Sequence, residues 1–209
     1  GNKAWVYPPS DTGKAIYRPL DQDYKSGKIY FGYILNYTWS GANKYSGLSL
    51  YYTNSSEKLF IGEIYGSDQT LGIDSTASGT SLTAGSGNDY IIVGYYDWAA
   101  GEAKVKAYKI GTDAVPEEEP ASWDQTLSKA SNTVGTINTI RLASGAGASS
   151  GTPGNTYFDE VRIATNWSDL IGVVPSKPAD PTGQTAAVDG NEMIRLGWTQ
   201  NGAGRSVMI

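Results

Sequence analysis

Apolar positions along this chain either alternate with polar ones or fall in short solid runs, and almost nowhere do they recur at helical spacing. In Lys28-Ile29-Tyr30-Phe31-Gly32-Tyr33-Ile34-Leu35-Asn36-Tyr37 nearly every position is apolar. Such a run predicts a strand buried on both faces, lying under a third layer or covering loops. Gly47–Tyr52 and Lys58–Tyr65 read as two further strands about the turn Thr53-Asn54-Ser55-Ser56, and a short one is expected near Thr70–Ile73. Asp89–Asp97 is the clearest strand, and Ala103–Ile110 pairs with it in a hairpin whose loop carries Trp98. A long loop over 111–132 holds the acidic run Glu117-Glu118-Glu119 and Trp123; Thr136–Ala143 is the next strand. One helical turn is expected near Trp167–Ile171.

The segment Thr156-Tyr157-Phe158-Asp159-Glu160-Val161-Arg162-Ile163-Ala164 closes the main body. Strict alternation puts Tyr157, Val161 and Ile163 on one face and Glu160, Arg162 and Ala164 on the other. It also points Asp159 inward, where a carboxylate must find partners. This closing pattern resembles the last strand of bacterial laminin-G-like domains of the concanavalin A-like superfamily, in which a Phe-Asp-Glu, an alternating apolar and Arg run and a following Trp recur. The resemblance covers about residues 25–172. It implies an all-β jelly-roll sandwich of two antiparallel sheets and a secreted or cell-surface setting in a bacterium. For function it is broad, since that superfamily includes lectins, carbohydrate-binding modules, glycosidases, lyases and adhesive domains.

From Val174 the composition changes. Pro175, Pro178 and Pro181 make a stiff linker over 174–183. The stretch 184–209 resembles the opening of a fibronectin type III module, ending a strand in Leu196-Gly197-Trp198. Two strands bury too little apolar surface to stand alone. One expectation is that Ile194, Leu196, Trp198, Val207 and Ile209 pack by strand donation onto another copy of the chain; the other is that the piece packs locally.

Composition narrows the chemistry. The chain has 26 Gly, 15 Tyr and 6 Trp in 209 residues, which suits many strands joined by tight turns. Its net charge of −5, with basic residues unclustered, argues against a nucleic-acid footprint. No run of about 18 apolar residues reads as a membrane span. Cys and His are absent, which removes disulfides, thiolate metal sites and every Ser-His-Asp or Cys-His arrangement.

Flat aromatic faces stack on the CH faces of sugars while nearby polar groups take the hydroxyls. Trp98, in a hairpin loop, is the first candidate platform, followed by Trp123, with Trp39, Tyr45, Tyr96 and the polar Asp97 beside them. No Glu-x-Asp-x-x-Glu motif of the superfamily's glycosidases is present, and Asp159 and Glu160 are adjacent, so they face opposite ways on a strand. The sequence therefore reads as a non-catalytic domain binding a glycan or surface ligand, with a structural subunit and a hydrolase or lyase as the alternatives. Relatives of this kind often hold Ca²⁺ with loop oxygens, and Asp21, Asp23 and Asp159 are the candidate ligands.

Overall fold

The computed structural model describes residues 4–6, 13–38, 43–146, 155–172, 182–189 and 193–199, with the side chains of Trp5, Ala146 and 182–199 left aside. Trp39, Val207, Ile209 and the prolines of the linker lie outside the described residues. The chain falls into two compact units, Gly1–Ile171 and Gly172–Ile209.

The first unit is a two-sheet antiparallel jelly-roll sandwich, as the pattern predicts. Sheet A runs β1 (Ala4–Val6), β12 (Thr156–Ala164), β3 (Lys28–Tyr37), β8 (Tyr90–Asp97), β9 (Glu102–Lys109) and β10 (Gln125–Ser128), in that spatial order. Sheet B runs β2 (Lys14–Tyr24), β11 (Ile137–Ala146), β4 (Lys44–Tyr52), β5 (Ser56–Glu63), β6 (Thr70–Ile73) and β7 (Thr76–Ser81). Two short helices, α1 (Ser131–Val134) and α2 (Trp167–Ile171), complete the unit. The second unit contributes one antiparallel pair, β13 (Thr182–Asp189) with β14 (Met193–Thr199). Ile194, Leu196 and Trp198 fall at alternate positions of β14, and the described residues add no further strand of a fibronectin-like module.

Between the sheets lies the main core. From β3 it takes Ile29, Phe31, Tyr33, Leu35 and Tyr37; from β8, Tyr90, Ile92 and Tyr96; from sheet B, Leu48, Leu50, Leu59, Ile61, Ile140 and Leu142. Tyr33 ties the layers directly, its hydroxyl donating to the Ile61 carbonyl at 2.8 Å. The opposite face of sheet A carries a second cluster: Tyr30, Val93, Tyr95 and Tyr108 under Trp167 and Leu170 of α2, with Val115 and Trp123 of the long loop. Glu119 pins that loop by accepting from the Tyr30 hydroxyl at 2.6 Å and pairing with Lys28 at 3.3 Å. Burial and that hydrogen bond push the Tyr30 phenol up to about 12, so it stays protonated as the donor. The expectation that β3 is covered on both faces therefore holds, and the cover is loop 111–124 with α2.

The closing strand corrects the strict alternation. Its register with β3 shifts between Asp159 and Arg162, where Glu160 takes φ 48° in a β-bulge. The extra residue reverses the parity. Phe158 is fully buried in the core and Val161 and Ile163 pack against it, whereas Asp159 is only half-buried. The Asp159 carboxylate accepts the Glu160 N–H at 2.9 Å and so braces the bulge instead of entering the core.

One acid is buried between the sheets. Leu59 and Ile61 of β5 face inward, and Glu63, two residues on, does the same with no exposed surface. One carboxyl oxygen accepts the Gln69 N–H at 3.3 Å, and the other has no partner. Burial pushes this carboxyl from 4.5 up to about 9. The folded chain thus keeps a proton that the unfolded chain releases, and stability falls as pH rises across that window, by up to about 1.4 kcal/mol per pH unit. Above about 9 the dependence levels off. Thermal melts from pH 5.5 to 8.5 are expected to show a declining Tm that Glu63→Gln flattens, with the variant melting higher at pH 8.5. The same slope in both proteins would refute this role for Glu63.

Candidate ligand-binding site on the outer face of sheet B

The outer face of sheet A is covered in part by the chain itself, leaving an apolar cavity of about 340 Å³ among Ile34, Ile91, Val115 and Leu170, and the outer face of sheet B carries a more polar one. Strand register brings its outward residues into rows. One row reads Tyr17 on β2, Arg141 on β11, Ser49 on β4 and Phe60 on β5. The next reads Ala15, Ala143, Gly47, Gly62 and Gly72 across β2, β11, β4, β5 and β6. This row of small residues lowers the floor of the sheet. A Cβ on Gly47 would stand 2.9 Å from the Phe60 ring, and one on Gly145 would stand 2.6 Å from the Tyr45 hydroxyl. The missing side chains let both rings lie over the sheet, where they meet edge to face at 5.9 Å.

These rings help line a cavity of about 440 Å³ together with Tyr65, Lys58, Glu57, Arg141, Asp74 and Lys129. Tyr65 projects at its rim and is 53 % exposed. Arg141 stacks over the Tyr51 ring at 4.9 Å, and its Nη2 donates both to Ser49 Oγ at 3.0 Å and to Glu57 Oε2. Ser49 Oγ donates to the same Glu57 oxygen at 2.8 Å. Arg141 Nε is buried and makes no hydrogen bond. Asp74 is held on both oxygens: Oδ1 accepts the Phe60 N–H at 3.0 Å and Oδ2 pairs with Lys129 at 2.7 Å. The Lys129 ammonium also donates to the Lys58 carbonyl. Ring stacking and paired charges fix these side chains before any ligand arrives.

Of the residues singled out from sequence that the structure describes, Tyr45 alone sits at this cavity. Trp98 is a correction: it is buried, its indole N–H donating to the Gly135 carbonyl at 2.7 Å and its ring edge-on to Tyr96 at 4.9 Å. The hairpin loop turns back over the end of the core, so its aromatic closes the sandwich instead of standing in solvent. Tyr96 is likewise fully buried and donates to the Lys129 carbonyl at 2.8 Å. Asp97 shapes the hairpin by accepting the N–H groups of Ala99 and Ala100 at 2.8 and 3.2 Å. Trp123 is half-buried and packs edge-on against Tyr95 at 5.2 Å and Trp167 at 6.2 Å, which makes it part of the cover of sheet A.

The proposed calcium ligands do not converge. Asp21 accepts from the Tyr24 hydroxyl at 3.2 Å and Asp23 from Asn138 at 3.1 Å, both on β2 of sheet B, whereas Asp159 lies in sheet A opposite Ile34. Among the described residues no three acidic side chains gather as metal ligands. The residues that sequence reasoning missed are Glu57, Lys58, Phe60, Tyr65, Asp74, Ser75, Lys129 and Arg141. A signal was present in Arg141, a cation between Ile140 and Leu142 of β11 and opposite Ser49 of β4.

Trp98→Ala removes a core side chain, and its expected effect is a loss of about 3–5 kcal/mol of stability. That corresponds to a Tm lowered by roughly 10 °C in a chain of this size. Calorimetry checks it; an unchanged Tm would mean that the indole is not packed as described.

No family model matches the chain, and no curated protein matches it. Among solved structures it is similar to a GH131 beta-glucanase catalytic domain from Podospora anserina, with 11 % identity, 79 % of this chain and 74 % of that one covered, and a TM-score of 0.49. It is also similar to a heptameric SAP-like pentraxin from Limulus polyphemus, with 11 % identity, coverages of 80 % and 79 %, and a TM-score of 0.47. A third is lectin I from Ulex europaeus, solved with the methyl glycoside of alpha-L-fucose, with 8 % identity, coverages of 63 % and 70 %, and a TM-score of 0.37. At these identities the likeness is one of fold alone.

Proposed function

We propose that this chain is a carbohydrate-binding domain whose ligand lies on the outer face of sheet B. The observation that carries the reading is the cavity of about 440 Å³ itself, in which exposed Tyr65 and the rings of Tyr45 and Phe60 stand beside fixed charged and polar groups. Sugars need that combination: an apolar ring for their CH faces, and donors and acceptors already oriented for their hydroxyls. Binding is proposed without catalysis, because each carboxylate in the cavity is engaged by a cation and by hydrogen-bond donors. Glu57 holds Arg141 and Ser49; Asp74 holds Lys129 and the Phe60 N–H.

One observation favours a second reading, a glycoside hydrolase: Glu57 and Asp74 are two carboxylates lining one cavity, the residue pair such chemistry employs. Affinity electrophoresis through gels containing individual polysaccharides, with a parallel assay for reducing ends, separates the two. The binding reading expects retardation by at least one polysaccharide, weakened about tenfold or more by Tyr65→Ala, since a stacked ring contributes about 1–3 kcal/mol, with no new reducing ends. Release of reducing ends that Glu57→Gln or Asp74→Asn abolishes would establish the hydrolase instead. Retardation equal in wild type and Tyr65→Ala would move the ligand off this face.

A further inference from the structure

The charges of the cavity do not cancel. Glu57 is paired with Arg141 and Asp74 with Lys129, while Lys58 also lines the cavity and has no acidic partner among the described residues. The site thus carries one excess positive charge in a chain whose net charge is −5. Arg141 is also under-used. Both of its hydrogen bonds leave from Nη2 and its Nε is buried, while Nη1 donates to no acceptor among the described residues, although the guanidinium offers five donors in a planar fork. The group is held rigid by the Tyr51 ring below it and by Ser49 and Glu57 beside it. A fixed guanidinium with donors to spare, in a cavity with a second, unpaired cation, suits a planar or tetrahedral oxyanion.

From this we infer that the ligand is an acidic glycan, whose carboxylate or sulfate is taken by Lys58 and Arg141 while its sugar rings rest on Tyr65, Tyr45 and Phe60. The inference rests on the glycan-binding reading above and narrows it from carbohydrates in general to polymers of uronic acid or sulfated sugar. A neutral glycan would leave the excess charge unanswered in a partly desolvated site. An anionic one answers it, and the association then weakens with added salt as the exposed part of the attraction is screened.

The test uses the full chain in affinity gels containing polygalacturonate, dextran sulfate or a neutral β-glucan, each at 20 and 200 mM NaCl. The expected result is retardation by one or both acidic polymers and weaker retardation at the higher salt. Lys58→Ala should reduce the affinity about tenfold or more, because a hydrogen bond to a charged group is at stake, and Lys58→Arg should restore most of it. Arg141→Lys keeps the charge but loses the fork, and it should weaken carboxylate binding further. Circular dichroism and Tm guard against misfolding of that variant; the Lys58 variants, at the cavity wall, carry the test if it fails to fold. Retardation by polygalacturonate but not dextran sulfate assigns a uronate, and the reverse assigns a sulfate ester. Binding only to the neutral glucan, lost in Tyr65→Ala, overturns the acidic assignment and leaves the glycan reading standing. Binding to acidic polymers that Lys58→Ala leaves unchanged overturns this site as the anion pocket. No retardation by any polymer overturns both.

Discussion

The organising constraint in this molecule is that β3 is apolar on both sides and cannot leave either side in water. Its odd-numbered residues, Ile29 to Tyr37, are covered by sheet B. Its even-numbered side has no third sheet to meet, so the chain supplies a substitute in loop 111–124 and α2. The substitute is held by directional contacts as well as apolar ones: Glu119 to Tyr30 and Lys28, and the Trp167 N–H to the Pro116 carbonyl at 3.3 Å. That cover is partial: beside it, Ile34, Ile91, Val115 and Leu170 line an apolar cavity of about 340 Å³ on the same face.

Sheet B is shaped on its outer face by what it lacks. Its inward residues are large and its outward ones, along the row from Ala15 to Gly72, are small. Small residues weaken a strand on their own account, but here the space above them is filled by the rings of Tyr45 and Phe60, which recover contact area while remaining at a surface. Charges on this face follow the same logic. Arg141 on Tyr51 and Asp74 between Lys129 and Phe60 cost side-chain entropy once, on folding, and that cost does not recur on binding.

Much of the fold was legible because strands obey period two and turns have their own residues. The run at Lys28–Tyr37, the hairpin from Tyr90 to Lys109 and the single turn at Trp167 all follow from local pattern. The stretch expected as one loop over 111–132 instead contains β10 and the start of α1, too short for their pattern to stand out. The failures at Asp159 and Trp98 have another cause: local pattern is silent about which way the chain turns next. A single extra residue at Glu160 reversed the parity of β12 and moved Asp159 out of the core. The hairpin loop at Trp98 folded inward, so an aromatic that looked free is buried. The cavity itself is assembled from β4, β5, β11 and the stretches after β5 and before α1, and no sequence spacing links Glu57, Asp74, Lys129 and Arg141. Tyr45 was reachable only because it is aromatic.

Acidic side chains of sheet B are accommodated in two different ways, inside the sandwich and on its outer face. Glu63 lies between the sheets, its second oxygen unpartnered, and burial resolves the conflict by keeping the carboxyl neutral. Glu57 and Asp74 lie on the outside of the same sheet, Glu57 on the same strand as Glu63 and Asp74 just past β6, and there the conflict is resolved by pairing with Arg141 and Lys129. Enclosed between the sheets, Glu63 presents no surface to solvent. A paired surface charge keeps unused valences, as Arg141 Nη1 shows. Acids within twenty positions of one another are thus kept neutral or paired with a cation according to which side of a single sheet they occupy.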